Sequence, residues 1–195
     1  MAETLAAVAS PPADGAVLPV VRGCTARDGK DISMASKEDF TDEEWARLKR
    51  APFVAGMAIS LADPGGPIEA FKETAATLKT VQGAEGQDGV VGEAAREVVS
   101  EARERKNPLG GFKPTSGATA GVEILDELGG VNRIVSEKGS PEDTAAMREF
   151  LLAVAQEAAN AAKEGGFMGW HAERVSEGEQ RMLDRLNEAL TAPAA

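Results

Sequence analysis

From Phe40 onward the apolar residues recur at three- and four-residue intervals, the period of a helix with one face turned inward, and no stretch alternates as a half-buried strand does. Thr41 followed by Glu44 forms a capping-box pattern, and Phe40 and Trp45 stand at the spacing of a hydrophobic staple, so a first helix is predicted from Thr41 to about Arg50. Pro52 suits a helix's first turn, which predicts a second helix over Pro52 to Ala62. Its apolar face carries Phe53, Met57 and Leu61, broadened by Val54 and Ile59, and it should be the most buried of the set. Asp63-Pro64-Gly65-Gly66 forces a turn, Asp63 being suited to capping. Pro67 then opens a helix from Ile68 to about Thr80 with Ile68, Phe71, Ala75 and Leu78 as its inward stripe.

A fourth helix is expected from about Gly89 to Lys106, with Val91, Ala94, Ala95, Val98 and Ala102 inward and Glu93, Arg96, Glu97, Glu101 and Arg105 on the wet face, as ordinary surface neighbours. Val122, Leu125, Leu128, Val131 and Val135 mark a fifth, with a possible interruption at Gly129-Gly130. Ser140, Pro141 and Asp143 open a long helix running to Glu164. Ser176 and Glu179 form another capping box, ahead of a seam of Met182, Leu183, Leu186 and Leu190. The expected fold is therefore all-α, a single bundle of six to seven helices over residues 37–191. The breaker-rich residues 1–36 are expected to be a disordered leader and residues 192–195 a disordered end. The Gly-Gly-Phe triplets at Gly110-Gly111-Phe112 and Gly165-Gly166-Phe167 suggest a duplicated hairpin, or two helix stops of the same kind.

Composition narrows the function. The formal charge of -11 over 195 residues argues against nucleic acid as a partner. The single Cys24 excludes a disulfide within the chain or a multi-cysteine metal cage, and a lone His171 leaves no histidine-rich metal site. No metal or cofactor is expected. The first nine residues lack the basic start of a signal peptide and no apolar run approaches a membrane span, so a cytoplasmic location off the membrane is expected.

The densest group of unusual residues is Lys163 to His171, where Gly165 and Gly166 could offer amides to an anion and Phe167, Trp170 and His171 stand close by. Together with Asp63 they form the candidate ligand-binding set, against a plainer reading in which the glycines end a helix and the aromatic rings seal the bundle. No nucleophile with a neighbouring base is recognisable, and no catalytic residue is expected.

Three segments carry a resemblance: Ala51-Pro52-Phe53-Val54-Ala55-Gly56, then Asp63-Pro64-Gly65-Gly66-Pro67-Ile68 with Lys72-Glu73, and Lys163-Glu164-Gly165-Gly166-Phe167-Met168-Gly169 followed by Val175-Ser176-Glu177. Over Phe40 to Leu190 the chain resembles a family of small bacterial all-helical proteins of unknown activity. The resemblance implies a compact helical domain and no activity. Trp170-His171-Ala172-Glu173 departs from that family's usual last loop, which weighs against catalysis by His171. Two functions are thus expected. One is work through protein contacts, as a homo-oligomer or an accessory subunit in a stress-related or housekeeping assembly. The other is response to a small ligand or divalent metal near the Gly-Gly-Phe loops.

Overall fold

The computed structural model describes residues 34–62, 67–115, 119–163 and 175–192. They form a short 3-10 turn at Lys37–Asp39 and six helices: α1 Asp42–Ala62, α2 Pro67–Gly83, α3 Gly89–Arg103, α4 Ala120–Lys138, α5 Pro141–Lys163 and α6 Glu177–Thr191. The protein is all-α, and no strand occurs among the described residues. The leader up to residue 33, with Cys24, lies outside the described residues, as does the second Gly-Gly-Phe triplet.

The two helices expected on either side of Pro52 are one. α1 runs through Pro52, which is buried inside it. Proline removes one backbone donor and crowds the preceding turn, but Trp45, Leu48, Val54, Ala58 and Ile59 are buried on both sides of it, and a break would withdraw one half from the core. Ala51 through Gly56 are buried without interruption, so this stretch is covered on every face. α1 and α5 touch one another and each touches the remaining four helices, while α2 packs on α3 and α4 on α6. Small residues permit the central contact: Ala55 and Ala58 on α1, and Ala155, Ala158 and Ala159 on α5, are all buried.

The entry devices form as expected. The Thr41 amide donates to Glu44 Oε2 at 2.7 Å and the Glu44 amide to Thr41 Oγ1 at 3.3 Å, while the Phe40 and Trp45 rings lie 5.9 Å apart. Ser176 and Glu179 exchange the same pair of bonds at 2.7 and 3.2 Å ahead of α6, whose Met182, Leu183, Leu186 and Leu190 are buried. α4 is continuous through Gly129-Gly130. Its inward residues are Ile124, Leu128, Val131 and Val135, and Val122, expected inward, stands exposed at the helix's first turn.

The larger correction concerns α2. Ala75 is exposed and Leu78 half-buried, while Glu73, Thr77 and Val81 are buried at i, i+4 and i+8; the side chains of Ile68 and Phe71 lie outside the described residues. The inward row thus carries a carboxylate and a hydroxyl. α2 presents them to α1 because Gly56 leaves space there: a Cβ on Gly56 would stand 2.5 Å from Thr77 Oγ1.

A candidate binding crevice between the first two helices

Phe53, Gly56, Met57 and Ser60 recur at helical spacing on α1 and face Glu73, Thr74 and Thr77 on α2. With Pro108 and Leu109 they enclose a cavity of about 170 Å³. Ser60 donates its hydroxyl proton to Glu73 Oε2. Glu73 is 3% exposed and Thr77 1%. A carboxylate so far removed from water is costly unless hydrogen-bonded, and the Ser60 hydroxyl contributes to that. Phe53, Met57, Pro108 and Leu109 make the remaining wall apolar. One polar corner in an apolar hollow is the usual design of a small-molecule site.

The wall above the crevice belongs to the first Gly-Gly-Phe loop. Arg105, Gly110 and Gly111 adopt positive φ angles of 58°, 55° and 89°, which fold the chain back after α3. Asn107 accepts the Leu109 amide on its side chain at 3.0 Å and the Gly110 amide on its carbonyl at 3.1 Å. This turn sets Pro108 and Leu109 over the cavity. Phe112, at the loop's end, lies under the Arg50 guanidinium at 5.8 Å. Arg50 is held in turn by Glu127 of α4 through Nη2 to Oε1 at 2.7 Å, and Glu127 also receives Arg47 Nη2 at 2.7 Å.

A second cavity of about 170 Å³ adjoins the first, with Phe53, Thr74 and Pro108 lining both. Lys49, Glu101 and Lys106 bring charge to it. Lys49 Nζ bonds to Glu97 at 2.8 Å and Glu101 at 2.7 Å, and Glu97 also accepts Lys37 Nζ at 2.9 Å and the Trp45 indole at 2.8 Å. Burial opposes ionisation of Glu97, but the donors Lys49, Lys37 and Trp45 outweigh it and hold its carboxyl at about 2. Burial likewise opposes the charge on Lys49, and the bonds it donates to Glu101 and Glu97 nevertheless raise its pKa. Glu97 and Glu101, expected as wet-face neighbours of Arg105 within one helix, therefore tie α3 to α1. A wider hollow of about 440 Å³ between the end of α2 and α5 is lined by Gly83, Ala84, Ala146, Phe150 and Ala153, with exposed Gln87 and Glu149 as its polar groups near Thr80.

All six candidate ligand residues from the sequence, Asp63, Gly165, Gly166, Phe167, Trp170 and His171, lie outside the described residues. Ser60, Glu73 and Thr77 were not among the site residues expected from the sequence, Glu73 entering only with Lys72 in the family resemblance. Their signal is a glycine within an apolar run at Gly56, and an acid and a threonine four apart on an otherwise amphipathic helix. Among the described residues no group of three or more His, Cys, Asp or Glu side chains is placed to hold a metal ion, and no helix is long and apolar enough to cross a membrane.

Compared with family models, curated proteins and solved structures, the chain finds no match.

Proposed function

We propose that this protein is a small-molecule-binding helical domain whose site is the crevice between α1 and α2 beneath the first Gly-Gly-Phe loop. The observation that carries the reading is a cavity of about 170 Å³ in which the buried Glu73 and Thr77 side chains and Ser60 form a polar side opposite an apolar one of Phe53, Met57, Pro108 and Leu109. A cavity of that size suits a compact molecule, since an apolar cavity of about 150 Å³ accommodates benzene. Action through protein contacts, the other expectation, has less to support it. The large apolar side chains exposed among the described residues are Met34, Leu61 and Val122, which belong to three different segments. The single cysteine, which allows no disulfide within the chain, is compatible with a reducing, cytoplasmic setting for the domain.

Methyl NMR on the full chain tests the site. Titration with compounds of about six to ten non-hydrogen atoms, sized to such a cavity, should move the Met57 and Leu109 methyl signals and leave Met147 and Met182 in place. Thr74→Phe, which fills the wall common to both cavities, should abolish the response. Shifts confined to Ala146 and Ala153, or none at all, would refute the assignment.

A further inference from the structure

We infer that the second cavity, enclosed by α1, α2 and α3, is a site of its own that takes a small carboxylate with a compact apolar body and holds the carboxylate end with Lys106. Phe53, Leu78, Val98, Ala102 and Pro108 supply hydrocarbon to a space of about 170 Å³, and an apolar cavity of about 150 Å³ accommodates a benzene ring. Three charged side chains reach the same space, the cations Lys49 and Lys106 against the acid Glu101. The acid is already engaged, since Lys49 Nζ stands 2.7 Å from Glu101 Oε1. Lys49 gives a second bond to Glu97 and has a third N–H donor with no acceptor among the described residues.

The way α3 ends places Lys106 there. The Arg105 amide donates to the Ala102 carbonyl at 3.0 Å and the Lys106 amide to the Glu101 carbonyl at 3.1 Å, with Arg105 at a φ of 58°, the paired bonds of a left-handed helix stop. The stop folds Lys106 back on the last turns of α3, whose Val98 and Ala102 line the cavity. Among the described residues the ion pair of Lys106 is with Glu104, two positions earlier, at 2.9 Å, and both side chains are more than half exposed. Such a surface pair contributes little, so a ligand carboxylate can take the place of Glu104, which returns to water. Arg103, Arg105 and Lys113 form no ion pair with another described residue. The segment from Arg103 to Lys113 thus carries four basic residues against Glu104 alone, on a chain of net charge -11, and that local surplus draws an anion. A ligand ammonium would meet Lys49 and Lys106 as like charges. A divalent cation asks for six or more oxygen ligands, and this cavity offers one carboxylate.

The test compares benzoate with its neutral isostere benzamide on the full chain at pH 7, by calorimetry and by methyl NMR. Benzoate is expected to move the Leu78 and Val98 methyl signals, which belong to this cavity and not to the first. It should bind about three- to fivefold more tightly than benzamide, the difference a partly exposed ion pair makes, and added salt should narrow that ratio. Lys106→Gln should bring the ratio to about one and Lys106→Glu should invert it, with circular dichroism unaltered because the side chain is exposed. Equal affinities in the unaltered protein, or a preference for benzoate that survives Lys106→Gln, would overturn the assignment of the carboxylate to Lys106. Failure of both compounds to move Leu78 and Val98 would overturn the site itself. Shifts at Met57 and Leu109 alone would put the compound in the first crevice, refuting this inference and leaving that one standing.

Discussion

Gly56 and Thr77 meet so closely that a Cβ on the glycine would stand 2.5 Å from the threonine hydroxyl oxygen. Within a helix, alanine is ordinarily better than glycine by about 1 kcal/mol. Here the added methyl must displace a β-branched side chain on a neighbouring helix, an overpacking cost of about 1–3 kcal/mol. Gly56→Ala is therefore expected to lower stability in denaturant titration by about 1 kcal/mol and to shrink the crevice. In a Thr77→Ala background the obstacle is gone, and the same substitution should become neutral or stabilising. A Gly56→Ala effect that is the same in both backgrounds would show that the two residues are not in conflict.

Glu97 gathers Lys37, Lys49 and the Trp45 indole, and its carboxyl is held at about 2, below the ordinary 4.5. A carboxylate with a depressed folded-state pKa contributes stability that is fully present above the unfolded-state value and is lost as pH falls through the folded one. Glu97→Gln should thus cost about 1–2 kcal/mol at pH 7, allowing for partial solvent screening. The gap between variant and parent should close as pH drops from 4.5 towards 2. Urea melts at pH 7, 4.5 and 2.5 measure it, and a gap that is constant across the three would remove Glu97 from the account of acid stability.

The helix entries were legible because each depends on residues a few positions apart. Thr41 with Glu44, and Ser176 with Glu179, decide their own ends whatever the rest of the chain does. Pro52 misled for the same reason: local chemistry favours a break there, and only burial of both flanking half-helices, a tertiary fact, overrides it. The inward row of α2 was hidden more deeply. Hydrophobic periodicity selects Ala75 and Leu78, while the packed helix turns Glu73 and Thr77 inward, because Ser60 and the gap at Gly56 await them on another helix. Polar residues that serve a site break the pattern from which an inward face is read. Glu97 was read as a surface acid because its partners Lys37 and Lys49 stand 60 and 48 positions away.

Asp143 does more than cap α5. Its Oδ2 accepts the Ser140 amide at 2.9 Å and the Ala35 amide at 2.8 Å, so the residues entering the bundle are fastened to the start of a helix 108 positions later. Its Oδ1 is buried without a hydrogen-bond partner among the described residues. An asparagine whose oxygen takes the place of Oδ2 keeps both bonds and removes a buried charge. Asp143→Asn is accordingly expected to stay within about 1 kcal/mol of the parent, whereas Asp143→Ala loses the cap and the tether, at a cost of about 2 kcal/mol or more. Hydrogen exchange locates the effect: the Ala35 amide should exchange faster in the alanine variant and remain protected in the asparagine variant. Equal protection in both would mean that something other than Asp143 holds Ala35.

Arg47 and Arg50, a turn apart on α1, converge on Glu127, whose side chain is only 9% exposed. Gly130, one turn further along α4, makes room for Arg47, since a Cβ there would stand 2.4 Å from its guanidinium. Removal of the shared carboxylate leaves two guanidinium groups against each other and against the interior, and such losses cost about 3–5 kcal/mol when burial is complete. Arg47 is 33% exposed and can turn to water, so Glu127→Ala should cost less, about 2–3 kcal/mol, or a fall in Tm of about 5–10 °C for a chain of this length. The consequence reaches the crevice, because Arg50 also holds Phe112 at the end of the loop that carries Pro108 and Leu109. Glu127→Ala and Phe112→Ala should both speed amide exchange at Leu109 and Gly110, and the double variant should add little to either. Additive effects would mean that Phe112 and Glu127 steady the loop by separate routes.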